Sequence, residues 1–203
     1  LQQMMTFRSK LQLLLTVISF VIIVSACQNN STPKPMGYFR ITFPEKSYDT
    51  LSSLSDRRLP FICLVPTYST FAEVPSGDKS RWFNMNFPAY NATIHLTYYQ
   101  MDTTLSTYIE TSRSFAVQHI PKATAIKQKV ISHPEHSVYG LYYNIQGSET
   151  ASPIQFYITD STTNFLRGAL YFNNVPNNDS LSPVIDFIDQ DLITITETLQ
   201  WRR

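Results

Sequence analysis

Glycine is scarce in this chain, five among 203 residues. A phosphate-cradling loop or a dinucleotide fingerprint needs several glycines at fixed spacing so that backbone amides can approach the ligand, and no such cluster occurs. The Gly-x-Ser-x-Gly elbow that exposes a hydrolase nucleophile is missing as well. Cysteine is scarcer still, at Cys27 and Cys63 alone, too few for a disulfide framework or a cysteine-based zinc site. Charged residues make up 15% of the chain and nearly cancel, leaving a formal net charge of +1. That balance lacks the basic footprint of a nucleic-acid binder.

An apolar run long enough to cross a bilayer is lacking too. Residues 11–24 form an uncharged, mostly apolar stretch of fourteen residues, about 21 Å as a helix, against roughly 30 Å of hydrocarbon. Preceded by Arg8 and Lys10, it has the layout of a signal peptide. It ends in Val24-Ser25-Ala26-Cys27, small residues directly before a cysteine, which resembles a bacterial lipobox. Cys27 is the expected lipid attachment site, where acyl chains such as palmitate anchor the protein at about 0.8 kcal/mol per buried CH₂. The alternative is an ordinary secretory signal cleaved near Ala26. The chain opens on Leu1, so translation is expected to start at a non-AUG codon or at Met4 or Met5. The expected organisation is a signal peptide over 1–26, lipidated cysteine and tether over 27–36, and one α+β domain over 37–203. Pro33 and Pro35 stiffen the tether.

Past residue 27 the chain carries 14 Lys and Arg against 15 Asp and Glu. With Cys27 carrying lipid, Cys63 has no partner, and its apolar flanks predict a buried structural thiol. About 165 residues are enough for one proper core.

Residues 38–43 read as a first strand, and a second short strand is expected over 60–65. Trp82-Phe83-Asn84-Met85-Asn86-Phe87 and then Ala92 to Tyr99 alternate apolar and polar side chains with period two, a probable hairpin of half-buried strands. The period then changes. Leu105, Tyr108, Ile109, Ser112, Phe115, Ala116 and His119 recur at helical spacing, with Thr104 as N-cap. Strands are expected over 125–131, 138–145, 154–160 and 165–173. A closing helix is expected to be capped by Ser182, with Pro183 at its first position, Asp186, Asp189 and Asp191 suited to its N-terminal half, and an apolar stripe of Val184, Ile188, Leu192, Ile195 and Leu199. The order predicts an α+β domain in which a mainly antiparallel sheet is covered by two amphipathic helices. It also resembles the PsbP-like α+β fold of a photosystem II extrinsic subunit, a likeness of fold that carries no function.

A search for chemistry finds no catalytic residue. Ser31 and Lys34 have Ser-x-x-Lys spacing but lie in the tether, where nothing orients a nucleophile. His133, Glu135 and His136 surround Pro134, so a turn is expected there rather than three ligands converging at about 2.0 to 2.2 Å on a metal. His95 belongs on the polar side of its strand. His119 falls at a helix C-terminus, where the dipole favours a partly protonated ring. No metal or cofactor site is expected.

The stretch 151–172 reads as a hairpin turning at "DSTTN". An odd loop of Thr162, Thr163 and Asn164, with Asn164 left-handed, sets Ile158 against Gly168 and Ile154 against Phe172. Arg167 then lies on the other face opposite Thr159, with Gln155, Tyr157 and Tyr171 close by. Tyrosine and arginine together are the composition of an interface hot spot, so these four make a candidate partner face; an arginine covering rings beneath a helix is the alternative.

"PKPMGYFRITFPEKSYD", "ATIHLTYY", "SPIQFYITDSTTNFLRGALYF" and "DSLSPVIDFI" together resemble GldD, a lipoprotein family of gliding bacteria, over nearly the whole chain past the signal. The resemblance implies a cell-envelope protein needed for gliding, connected with the type IX secretion and motility machinery, with other envelope proteins as partners and no established catalysis. Members often carry a second cysteine before the tryptophan of the "WFN" region. Arg81 stands there in this chain, so a family disulfide is not expected. Such bacteria O-glycosylate envelope proteins at Asp-Ser/Thr motifs, which makes Thr50, Thr103, Ser161 and Ser180 candidate sites; turn and cap chemistry of the same residues is the plainer reading. "QNNS" after Cys27 contains no acidic export signal, so a periplasm-facing position on the cell membrane or outer membrane is expected. A second hypothesis, from the twelve tyrosines and thirteen phenylalanines, is a periplasmic lipoprotein holding a small molecule, lipid or peptidoglycan fragment in an aromatic pocket.

Overall fold

The computed structural model describes residues 41–51, 59–77 and 79–202. The expected signal segment, Cys27 and the tether lie outside the described residues. From Ile41 onward the chain forms one compact unit. Its centre is a seven-stranded antiparallel sheet in the order β4-β5-β6-β10-β9-β8-β7. These strands are β4 (Thr70–Val74), β5 (Arg81–Phe87), β6 (Ala92–Gln100), β7 (Ala125–His133), β8 (Val138–Gln146), β9 (Ile154–Thr159) and β10 (Asn164–Phe172). Three short strands, β1 (Tyr48–Thr50), β2 (Phe61–Ile62) and β3 (Leu64–Pro66), and the terminal β11 (Gln200–Trp201) form two small ribbons, β1 with β3 and β2 with β11. Helices α1 (Leu105–Val117) and α2 (Asn178–Thr198) complete the unit. The α+β class, the mainly antiparallel sheet and the two helices are as the periodicity predicts.

Two meanders, β4-β5-β6 and β7-β8-β9-β10, are joined where β6 pairs β10, from Asn164↔Gln100 to Phe172↔Ala92. Alternation gives each strand one side per face. Phe83, Met85 and Phe87 of β5, Ile94 and Leu96 of β6, and Phe156, Ile158 and Leu170 share the larger core with Val184, Ile188, Leu192 and Ile195 of α2. The opposite face builds a smaller cluster, Tyr143, Ile145, Tyr157 and Phe165, against Leu105, Tyr108, Ile109 and Ala116 of α1. Gly168 sits opposite Phe156, and a Cβ there would fall 2.3 Å from that ring; the missing side chain is what lets the ring lie flat on the sheet.

Several local expectations shift. Of the strand expected over 38–43, residues 41–43 are described and are not in a strand, and the first strand among the described residues is β1. The closing helix begins at Asn178 rather than at Ser182, because Asn177 Oδ1 accepts from the Ser180 amide and Asn178 Nδ2 donates to Gly147 O and Thr150 O. These contacts outside the helix extend it by a turn and leave Pro183 inside, where it supplies no amide to the Asp179 carbonyl. Thr104 holds the N-cap position of α1, yet its hydroxyl bonds those of Ser106 and Thr107 and no backbone amide.

The β9–β10 hairpin keeps the expected faces with a register shifted by two. Phe165 opposes Thr159, Leu166 opposes Ile158, and Arg167 opposes Tyr157. The left-handed residue is Ser161, at φ 67°, not Asn164. Asp160 is the reason: its Oδ1 accepts from the amides of Thr162, Thr163 and Asn164, so the carboxylate organises the turn.

Candidate functional site

The strongest concentration of buried polar chemistry lies under α2, around a residue that the sequence matches to the helix dipole. Asp191 is 0% exposed. Its Oδ1 accepts from Lys46 Nζ at 2.7 Å, Tyr48 Oη at 2.9 Å and Tyr68 Oη at 2.8 Å, and its Oδ2 from Tyr68 Oη at 2.9 Å. Lys46 Nζ also donates to Phe187 O and stands 3.4 Å from the centroid of the Phe187 ring. Burial first, then the Asp191 carboxylate, pushes the Tyr68 hydroxyl well above its ordinary range; Tyr48 moves the same way. Both phenols therefore stay protonated donors, and the lysine neutralises the carboxylate. Every donor is already committed to an acceptor, so the cluster holds chain segments together and offers no free nucleophile or base. A signal existed: Asp191 falls three residues after Ile188 and four before Ile195, on the apolar stripe itself.

The second feature is an edge. β7 pairs β8 along nine consecutive residues, Ala125↔Gln146 to His133↔Val138, and among the described residues has no strand partner on its outer side. Lys127, Lys129 and Ile131 lie on the α2 side, as Lys129 opposes the buried Tyr142 and Ile131 belongs to the α2 core. Beneath them runs a groove of about 340 Å³. Its floor includes Ile131, Tyr142 and Ile193, and Asp189 and Glu197 stand on the helix side. Tyr142 donates its hydroxyl to Asp189. On the other side of the strand Val130 is 71% exposed.

The four residues expected to form a partner face are brought together, but largely beneath α1. Gln155 is 2% and Tyr157 9% exposed. Arg167, half-buried, donates to Gln155 Oε1 at 3.1 Å and lies 4.3 Å from the Phe115 ring of α1. Tyr157 stacks on Phe165, and Tyr171 packs against His95. While α1 is in place, a partner reaches only the outer parts of Arg167 and Tyr171. Gln155 Nε2 is the one buried side-chain polar atom without a partner among the described residues.

The remaining candidates are placed as follows. Burial pushes the Cys63 thiol up to about 12, which keeps it an unreactive core group. Arg81 pairs with Glu73 at 3.0 Å. His133 ends β7, Glu135 and His136 lie in the turn that follows it, and no group of three His, Cys, Asp or Glu fit for a metal occurs among the described residues. Burial, and then the Arg167 charge, lower the pKa of the His119 ring, opposite to the direction in which the helix dipole acts. Thr103, Ser161 and Ser180 are exposed and Thr50 is half-buried. In these motifs Asp49 accepts from the Thr50 amide and Asp160 caps its turn.

The model of the family "Gliding motility lipoprotein GldD" matches residues 28–201. No match is found among curated proteins. Among solved structures, the solution structure of cyanobacterial PsbP from Synechocystis sp. PCC 6803 is similar at 11% identity and a TM-score of 0.46, covering 83% of this chain and 99% of that one; likeness at that level carries no argument about function. No helix among the described residues is long and apolar enough to cross a membrane. The match over 28–201 shows that the chain belongs to the GldD family of gliding motility lipoproteins, lipid-anchored cell-envelope proteins that take part in gliding.

Proposed function

We propose that the protein is anchored through lipid on Cys27, faces the periplasm, and serves the type IX secretion and motility machinery by protein contacts and without catalysis. The observation that carries the contact reading is the nine-residue edge of β7, which among the described residues has no strand paired on its outer side. An unpaired edge is a template for another chain. The buried Asp191 cluster supports the absence of catalysis, since its acid and both phenols are occupied in holding the fold. Deleting the gene is expected to abolish both gliding and secretion, a Cys27→Ser copy is expected not to restore them, and cross-linking in the native envelope is expected to recover a partner protein. A deletion strain that glides and secretes normally overturns the proposal.

The aromatic-pocket reading is less well supported. The phenylalanines largely fill the two cores, and Tyr142 is the one aromatic residue lining the groove beneath β7. O-glycosylation at Thr103, Ser161 or Ser180 remains part of the proposal, and an intact mass equal to polypeptide plus lipid removes it.

A further inference from the structure

We propose that β7 is a docking edge for an extended acidic segment of another protein, which adds to the sheet as an eighth strand. This rests on the contact reading above and names where the contact is made and what chemistry it selects.

The two edges of the sheet are unlike. β4 has five residues, is followed at once by Pro75, and its Glu73 is engaged with Arg81. β7 is nearly twice as long, contains no proline, and runs through its nine pairs with β8 without a bulge. Proline, bulges, short length and exposed lysines are the usual devices against unwanted pairing, and β7 uses the lysines alone, Lys127 and Lys129, two residues apart on one face and exposed; they disfavour a like-charged edge and leave an acidic strand free to pair.

Those lysines choose the partner. Residues directly opposite each other on adjacent antiparallel strands have Cβ atoms about 4.5 to 5.5 Å apart, and like charges there are unfavourable. A second copy of β7 pairing about its centre, Lys129 or Gln128, sets lysine against lysine. A strand with carboxylates at alternate positions sets acid against Lys127 and Lys129 and, one pair further on, places a side chain opposite Ile131. That side chain enters the groove floored by Ile131, Tyr142 and Ile193, so an apolar residue is favoured there. Asp189 across the groove already accepts from Tyr142. The segment recognised therefore reads apolar, then two acids, at every second residue. Backbone hydrogen bonds supply affinity and these side chains supply choice.

The test uses the full lipidated chain and the labelled peptide Thr-Val-Thr-Glu-Thr-Glu-Thr, followed by fluorescence anisotropy. The acidic peptide is expected to bind about tenfold more tightly than its Thr-Val-Thr-Lys-Thr-Lys-Thr counterpart, from two reversed cross-strand pairs. The double variant Lys127→Glu, Lys129→Glu is expected to invert that order. Absence of binding, or binding insensitive to the exchange of charge, overturns the inference. In cells, a photoreactive residue at Gln128 is expected to capture a different envelope protein and one at His95 none. Capture of a second copy at Gln128, or of a partner through His95 alone, overturns the docking edge but leaves the contact reading standing. Capture of no protein from either position, together with none recovered by general cross-linking of the envelope, overturns both.

Discussion

Each face of the sheet has an ion beneath its helix, and the two are accommodated in opposite ways. Under α2, Asp191 is fully enclosed and accepts from a lysine and two tyrosines drawn from segments more than 120 residues away in sequence. Under α1, Arg167 has one side-chain acceptor, Gln155, and the face of Phe115. A compact carboxylate has no apolar stem and must be met by donors wherever it is buried. An arginine can lay its stem and the plane of its guanidinium against rings and still hold its edge toward water. The α2 side is thus all-or-none, and the α1 side tolerates loss.

The sharpest way to break that contrast is Asp191→Ala. It leaves the Tyr48 and Tyr68 hydroxyls without their acceptor and the Lys46 charge without its counter-ion, with only Phe187 O still accepting from it, and is expected to cost about 3 to 5 kcal/mol, read as a fall in the urea midpoint. A loss below about 1 kcal/mol would place the two ions on a par. Next in size is Phe187→Ala, which removes the ring stacked on Phe43 and under Lys46, at about 3 kcal/mol by the same measurement. Arg167→Met keeps a stem under Phe115 and removes a partly desolvated charge; it is expected to change stability by less than about 1 kcal/mol and to leave lipoprotein abundance unchanged. Lost gliding in that variant at normal abundance would show that a partner reads the exposed part of Arg167.

The smallest effect is a pH dependence. His119 is protonated less readily folded than unfolded, so the unfolded chain binds more protons as pH falls below about 6.5, and stability declines there. The thermal midpoint is expected to drop slightly from pH 7.5 to 5.5, and His119→Gln to flatten part of that slope. His95, also shifted down by burial, accounts for a further part.

Much of this fold was legible in local pattern. The β5–β6 hairpin followed from strict alternation, and both helices from three- and four-residue recurrence, because those signals are set by neighbours along the chain. What was not legible is set at a distance. Lys46 lies in a polar stretch that reads as loop, and only a contact 145 residues away gives it a role. The local sequence matches Asp191 to the helix dipole, since nothing local shows that its donors exist. That β7 is an edge depends on strand order, which no strand's own sequence records. The two-residue shift in the β9–β10 hairpin came from Asp160, whose carboxylate is held below its usual range because four hydrogen bonds from residues 162 to 164 outweigh the opposing effect of burial.

The Asp191 cluster also has a mechanical meaning. In a lipid-anchored protein of a moving cell, tension enters the chain from its membrane end, and after Ile41 and Phe43, which pack on the core, the next side chains of the described chain to be tied into the body are Lys46 and Tyr48. They are fastened to a helix at the opposite end of the sequence, so a pull on the anchor is delivered to α2 and the broad face of the sheet at once. The strap cannot be drawn off one strand at a time until the ion pair and both phenol contacts have given way together.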